Sequence, residues 1–196
     1  MSTLNFRTAT GDDIPALLTL VTSAYRGEES RAGWTSEADL IEGARLDAAA
    51  LEADLTRPRS SILLAERDGQ LVACAHVADD HGTGYFGMFS VDPNQQGSGV
   101  GKLVLAEAEA FAAREWGVSV MQMTVIDVRE ELIAFYERRG YVRTGITKPF
   151  PYGEERFGIP QRDDLQFEVL EKTLESAGQH PESNDATASP REGVTQ

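Results

Sequence analysis

The sequence predicts a mixed α/β (α+β) fold, a central sheet of about six to seven strands flanked by about four helices. Three observations carry that reading. Apolar residues recur at helical spacing in three separate places, over Ile14-Leu17-Leu18-Val21, over Val100 to Phe111 and over Glu130 to Arg139. Between them lie apolar runs of strand length bounded by Gly, Pro, Asn and Asp. Two of those runs are separated by Asp68-Gly69, the strongest short-range signal for a β-hairpin. A chain of 196 residues has a prior of one domain, which we place at residues 1–175.

Leu4 to Thr8 alternates and reads as a strand. Thr10-Gly11-Asp12-Asp13, a Thr with an acid three residues on, starts a helix running to about Tyr25. Arg26 to Gly33 is polar and irregular. Ser36-Glu37-Ala38-Asp39 offers a second capped start, opening a broken helical region that is interrupted near Gly43, reaches Thr56 and is closed by Pro58. Ser61 to Glu66 and Leu71 to Val77 form the hairpin, and Gly84 to Val91 the next strand. Gly97 to Trp116 is the longest helical pattern, with Val100, Leu103, Val104, Ala108 and Phe111 on its core face and Gly117 as its stop. A buried-looking strand follows over Val118 to Ile126, then a short helix over Glu130 to Arg139 ended by Gly140. Tyr141 to Thr147 and Leu165 to Leu170 complete the strands. The Pro- and Gly-bearing stretch Lys148 to Asp164 between them is long enough to predict that it lines a site. Residues 176–196 lack bulky apolar side chains and read as a disordered tail.

Composition excludes several function classes. Hydrophobic residues make up 41% of the chain and charged residues 26%, and no apolar run approaches a membrane span. The net charge of −14 repels phosphate backbones and disfavours nucleic acid as a partner, while attracting cationic amines. An anionic ligand would have to be held by local backbone dipoles and a few placed cations. The single cysteine, Cys74, sits in an apolar strand and reads as a small core residue, and the start MSTLNFRT lacks the basic and apolar segments of a secretory signal. We therefore expect a cytoplasmic protein, with no membrane partner and no metal ligands.

The strongest motif is Val91-Asp92-Pro93-Asn94-Gln95-Gln96-Gly97-Ser98-Gly99-Val100-Gly101-Lys102, between a strand and the longest helix. Alternate glycines turn the backbone sharply and expose successive NH groups, and the following helix adds about half a positive charge at its N-terminus. Such a loop cradles phosphate. It is not a nucleoside-triphosphate loop: Gln96 stands where that motif needs its first Gly, and Leu103 where it needs a hydroxyl. Nor is it the dinucleotide fingerprint, because the third Gly comes one residue early and no βαβ unit opens the chain.

Gln96-Gly97-Ser98-Gly99-Val100-Gly101 does fit Q/R-x-x-G-x-G/A, and with Phe135-Tyr136-Glu137-Arg138-Arg139-Gly140-Tyr141 downstream the chain resembles the GCN5-related N-acetyltransferase (GNAT) superfamily over most of residues 4 to 174. The resemblance implies a GNAT-like, mostly antiparallel sheet. It implies acetyl-CoA as acyl donor, bound by main-chain groups of Phe89, Ser90 and Val91 along the pantetheine arm and by Gln96, Gly97, Ser98, Gly99, Val100, Gly101 and Lys102 at the phosphates. Arg129 stands where family members often carry an Asn that contacts the cofactor, and either pairs with a cofactor phosphate or points to solvent. Tyr136 occupies the position of the family's general acid, and a phenol near pKa 10 suits reprotonation of a thiolate whose thiol pKa is near 8.5. A homodimer is compatible with the family.

For the general base the sequence offers His76, Asp79, Asp80, His81, Glu28 and Glu29 without choosing. For the acceptor, Trp34 with Tyr25, Tyr152 and Phe157 would form an aromatic wall. The leading reading is a cytoplasmic acetyl-CoA-dependent N-acetyltransferase for the primary amine of a small or amino-acid-like molecule. The alternatives are a protein or peptide N-acetyltransferase and a non-catalytic acyl-CoA sensor.

Overall fold

The computed structural model describes residues 3–26, 30, 33, 37–43, 46–154 and 158–174. Elements in chain order are β1 (Leu4–Thr8), a 3-10 turn (Gly11–Asp13), α1 (Ile14–Tyr25), β2 (Ile41–Glu42), α2 (Ala48–Thr56), β3 (Ser60–Arg67), β4 (Gln70–Asp80) and β5 (Thr83–Val91). After a second 3-10 turn (Pro93–Gln95) come α3 (Val100–Trp116), β6 (Val120–Ile126), α4 (Glu130–Glu137), β7 (Val142–Pro149), β8 (Ile159–Pro160) and β9 (Gln166–Thr173). The seven-stranded sheet runs β1-β3-β4-β5-β6-β9-β7, and β2 pairs with β8 apart from it. Only β5 and β6 are parallel neighbours, so the sheet is mostly antiparallel, as expected.

Local chemistry accounts for the first half of the chain. The Asp13 carboxylate accepts the Thr10 amide at 2.8 Å and two Arg7 bonds at 2.8 and 2.7 Å, fixing the entry to α1. At the β3–β4 hairpin Arg67 faces Gln70 across the turn, and Asp68 and Gly69 both have positive φ (53° and 77°). That is the primed turn whose twist matches the two strands. Asp47 caps α2 by accepting the Ala50 amide at 2.8 Å.

The middle of the sheet is buried on both faces, while the edge strand β7 is largely exposed. Along β3, Ile62 and Leu64 pack with α1 and α2 residues Leu17, Val21 and Leu51 on one side, while Leu63 and Ala65 join α3 residues Val104 and Ala108 on the other. Cys74 lies at 0% exposure in the α1–α2 layer, and burial pushes its thiol up to about 12, consistent with a core residue. A third cluster, Ile41, Ile126, Phe150 and Leu165, closes the end of the sheet under the β2–β8 ribbon.

Three expectations need correction. Leu103 is 44% exposed, and the buried α3 residues are Val100, Val104, Leu105, Ala108 and Ala112, so the core stripe is rotated from the one expected. The helix also begins at Val100 rather than Gly97, because Gly97 and Gly99 have positive φ. No helix starts at Glu37: Ala38–Leu40 turn and Ile41–Glu42 form a strand, since Ile41 is captured by the third cluster and the Glu37 carboxylate by buried arginines. No helix among the described residues is long and apolar enough to cross a membrane. The tail expected over 176–196 lies outside the described residues.

Candidate active site

The site begins where two strands part. β5 and β6 pair only at Gly84↔Met121 and Tyr85↔Gln122, after which β6 continues on β9 alone. A Cβ on Gly84 would come within 2.5 Å of the Met121 sulfur, so glycine permits the pinch from which the strands diverge. Beyond it the β6-facing edge of β5 from Phe86 to Val91 has no strand partner. Between His76↔Gly87 and Cys74↔Ser90 the β4–β5 register shifts by one, and Met88 there has φ of 47°. This bulge bends β5 and re-aims its peptide groups.

At the end of β5, Asp92 accepts the Asn94 amide at 2.8 Å and caps the short 3-10 turn that leads into the glycine loop. Gly97 and Gly99 have φ of 79° and 85°, a region that other residues enter only with strain. Gly101 serves differently: a Cβ there would stand 3.2 Å from Phe89 Cζ and 3.5 Å from Phe135 Cζ, so its smallness lets β5, α3 and α4 converge. The loop thus delivers the N-terminus of α3 to the mouth of the gap between β5 and β6, where amide NH groups and the helix dipole favour an anion.

A cavity of about 280 Å³ opens there, lined by Phe89, Val91, Gln96, Gly97, Gly99, Gly101 and Lys102 from β5 and the loop, Ala24 and Tyr25 from α1, and one face of α4. Arg129, Leu132, Tyr136 and Arg139 supply that face at helical spacing. The Tyr136 ring, 4% exposed, is held by Phe86, Phe89, Phe135 and Tyr141 at centroid distances of 6.4, 6.4, 5.3 and 5.9 Å. Four aromatic neighbours fix its orientation.

Buried charge builds the cavity's Tyr25 end. Glu37, 3% exposed, accepts a hydrogen bond from Arg26 Nη1 on Oε2 and one from Arg129 Nη1 on Oε1, each at 2.6 Å. Arg129 lies 5.8 Å from the Tyr25 ring centroid, and the Tyr25 hydroxyl donates to the Phe89 carbonyl at 2.5 Å. Arg129 therefore does not point to solvent, and it ties the start of α4 to the segment after α1.

The structure brings Tyr25, Phe89, Val91, Gln96, Gly97, Gly99, Gly101, Lys102, Arg129 and Tyr136 to one cavity. Ser90 is 1% exposed with its hydroxyl on the Met88 carbonyl, Val100 is in the core, and the Ser98 hydroxyl turns back to the Gln95 carbonyl. Tyr152 stands apart, packed edge-on against Phe150 with its hydroxyl accepting the Leu165 amide at 2.7 Å. Trp34 and Phe157 lie outside the described residues, as do Glu28 and Glu29.

Of the other base candidates, His76 is buried under α2, with Nε2 2.8 Å from Ser60 Oγ and Nδ1 3.7 Å from the Asp54 carboxylate, and burial lowers its pKa. Asp79 accepts the Gly82 amide and pairs with Arg59, and both contacts lower its pKa; Asp80 and His81 are exposed at the same strand end. None of these lines the cavity. Sequence reasoning missed Ala24, Leu132, Phe135, Arg138 and Arg139 as lining residues. Helical spacing from Tyr136 would have found Leu132 and Arg139, three or four residues to either side.

The model of the acetyltransferase (GNAT) family matches residues 19–141. No curated protein sequence matches the chain. Among solved structures, the chain is similar to the ribosomal-protein-S18-alanine N-acetyltransferase from Escherichia coli, at 15% identity and TM-score 0.65, over 91% of this chain and 98% of that one. It is similar to the ribosomal-protein-alanine N-acetyltransferase from Brucella melitensis at 24% identity and TM-score 0.64, over 87% and 99%. An N-acetyltransferase from Staphylococcus aureus Mu50 aligns at 16% identity and TM-score 0.66, over 89% and 100%. At these identities the likeness is one of fold.

Proposed function

Because this chain belongs to the acetyltransferase (GNAT) family, an acyl-CoA-dependent N-acetyltransferase group, we propose that it moves an acetyl group from acetyl-CoA to the primary amine of a small or amino-acid-like acceptor. The observation that carries this reading is the meeting, in one cavity, of the glycine loop, the unpaired edge of β5 and Tyr136. The loop amides and the α3 N-terminus hold the diphosphate, and the pantetheine arm lies in the gap between β5 and β6 with the thioester beside Phe89 and Tyr136. The acceptor, its amine neutral, attacks the thioester carbonyl to give a tetrahedral oxyanion. The carbon–sulfur bond then breaks, the Tyr136 phenol protonates the departing thiolate, and the extra proton on the former amine nitrogen passes to solvent water, from which the phenolate is reprotonated.

Tyr25 and Arg129, 5.8 Å apart and lining the same cavity as Tyr136, are assigned to the acceptor side. We place the reaction in the cytoplasm, with the protein free to act as a monomer or homodimer and with no nucleic-acid or membrane partner. Calorimetry with acetyl-CoA tests the reading: binding with micromolar affinity is expected, and no heat up to millimolar concentration removes it. A panel of small amines against N-terminal peptides, read by mass shift, then separates a small acceptor from a protein one.

A further inference from the structure

We propose that Arg138 and Arg139, at the end of α4, bind a third phosphate, so that this protein distinguishes acetyl-CoA from its 3′-dephospho form. The inference rests on the acetyl-CoA reading and adds to it a subsite outside the glycine loop. In a chain this acidic, guanidinium and ammonium groups find carboxylates readily. Arg7, Arg59, Arg114, Arg143, Arg162 and Lys172 each sit within 3.0 Å of one, and Arg26 and Arg129 share Glu37. Lys102, Arg138 and Arg139 form no ion pair with a described carboxylate, and all three line the same cavity.

Helix-end chemistry accounts for only one of them. Arg139 donates from Nη1 to the Phe135 carbonyl at 2.5 Å, with its guanidinium 3.4 Å from the Phe135 ring centroid, so it closes the last turn of α4. Its Nε is buried and has no hydrogen-bond partner among the described residues. Burial and the adjacent Arg138 lower the Arg139 pKa, which marks two like charges held together. Bringing cations together without a counterion is unfavourable, and an anion between them reverses the sign of that interaction.

Position separates these cations from the diphosphate cradle. Lys102 belongs to the loop: its Cε lies 3.5 Å from where a Gly99 Cβ would stand. Arg138 and Arg139 follow a different element, α4, as its C-cap and the next residue, across the Gly101–Phe135 contact. A ligand that fills both places carries a diphosphate and, some distance from it, another phosphoryl group. The adenosine 3′-phosphate of coenzyme A meets that description, and a guanidinium fork matches a phosphate geometrically.

The test compares CoA with 3′-dephospho-CoA by calorimetry on the full chain. Wild type is expected to bind CoA at least about tenfold more tightly, the range of one charge-assisted contact. Arg138→Ala, alone or with Arg139→Gln, is expected to weaken CoA by about that factor and to leave dephospho-CoA within about twofold, so the preference collapses. Lys102→Ala is expected to weaken both ligands alike. Equal wild-type affinity for the two ligands, or a preference that survives in the double variant, overturns this inference while leaving acetyl-CoA binding intact. Absence of binding by either ligand overturns the acetyl-CoA reading and this one with it.

Discussion

The two ends of the cavity are built on opposite principles. At the glycine loop the lining comes from one short stretch, Gln96, Gly97, Gly99, Gly101 and Lys102, and Lys102 pairs with no carboxylate among the described residues. At the Tyr25 end the surface is side chain, and its charge is internally compensated by a glutamate that joins residues 11 and 92 positions away. On the proposed function, the loop would serve the diphosphate of the donor through its backbone amides. The Glu37 cluster instead shapes a wall, because a carboxylate already saturated by two guanidinium groups has little left to offer a ligand. On the proposed function, the difference would separate recognition of the common donor from placement of the particular acceptor.

The largest expected effect breaks that contrast at its charged end. Glu37→Ala leaves Arg26 and Arg129 buried at 5% and 8% side-chain exposure with a shared counterion removed, and should cost about 3–5 kcal/mol, read as a fall in the denaturant midpoint at constant slope. An unfolding free energy within about 1 kcal/mol of wild type would mean that the cluster is not a fastening.

Next is the residue between the two ends. Tyr136→Phe keeps the ring among its four aromatic neighbours and removes only the hydroxyl, so kcat should fall by about a hundredfold with little change in stability. An unchanged kcat across an amine panel would reassign the acid, and favour the non-catalytic sensor if wild type itself turns nothing over.

Gly99→Ala probes the loop end. At φ of 85° an alanine is strained by about 1–2 kcal/mol, and the expected result is acetyl-CoA binding weakened about tenfold while stability drops by no more than the strain. Binding that is unaffected would sink the amide cradle.

The smallest effect sharpens the comparison by lying away from both ends. Burial lowers the His76 pKa, so the unfolded chain takes up the proton first as pH falls. Stability is then fully present above the unfolded value near 6.5 and is lost as pH drops toward the lower folded value. Wild type should therefore lose stability as pH falls below about 6.5, and His76→Gln should lose less. Parallel pH curves for the two would assign the acid sensitivity elsewhere.

Much of the fold follows from short-range pattern. The Asp68-Gly69 hairpin, the Thr10–Asp13 entry to α1, the stop of α3 at Gly117 and the continuous apolar run of β3 each act within a few residues, where spacing and backbone conformation decide. The glycine loop belongs with them, since its geometry is encoded in which residues tolerate positive φ. Local signals misled at Glu37 and Leu103. The first resembles a capped helix start yet spends its carboxylate on distant arginines, and the second falls on a face that the sheet does not cover.

By itself the sequence determined that this chain folds with a mixed sheet and helices and carries a glycine loop ahead of its longest helix, and it pointed to Tyr136. Only tertiary structure decided that β5 leaves β6 after two residue pairs, that Glu37 fastens Arg129 beside Tyr25, and that Arg138 and Arg139 line the same cavity as the glycine loop. The physical reason is range. Propensity, capping and turn chemistry act along the chain, whereas a strand gap, a shared counterion and a cluster of cations exist only between segments that folding has brought together.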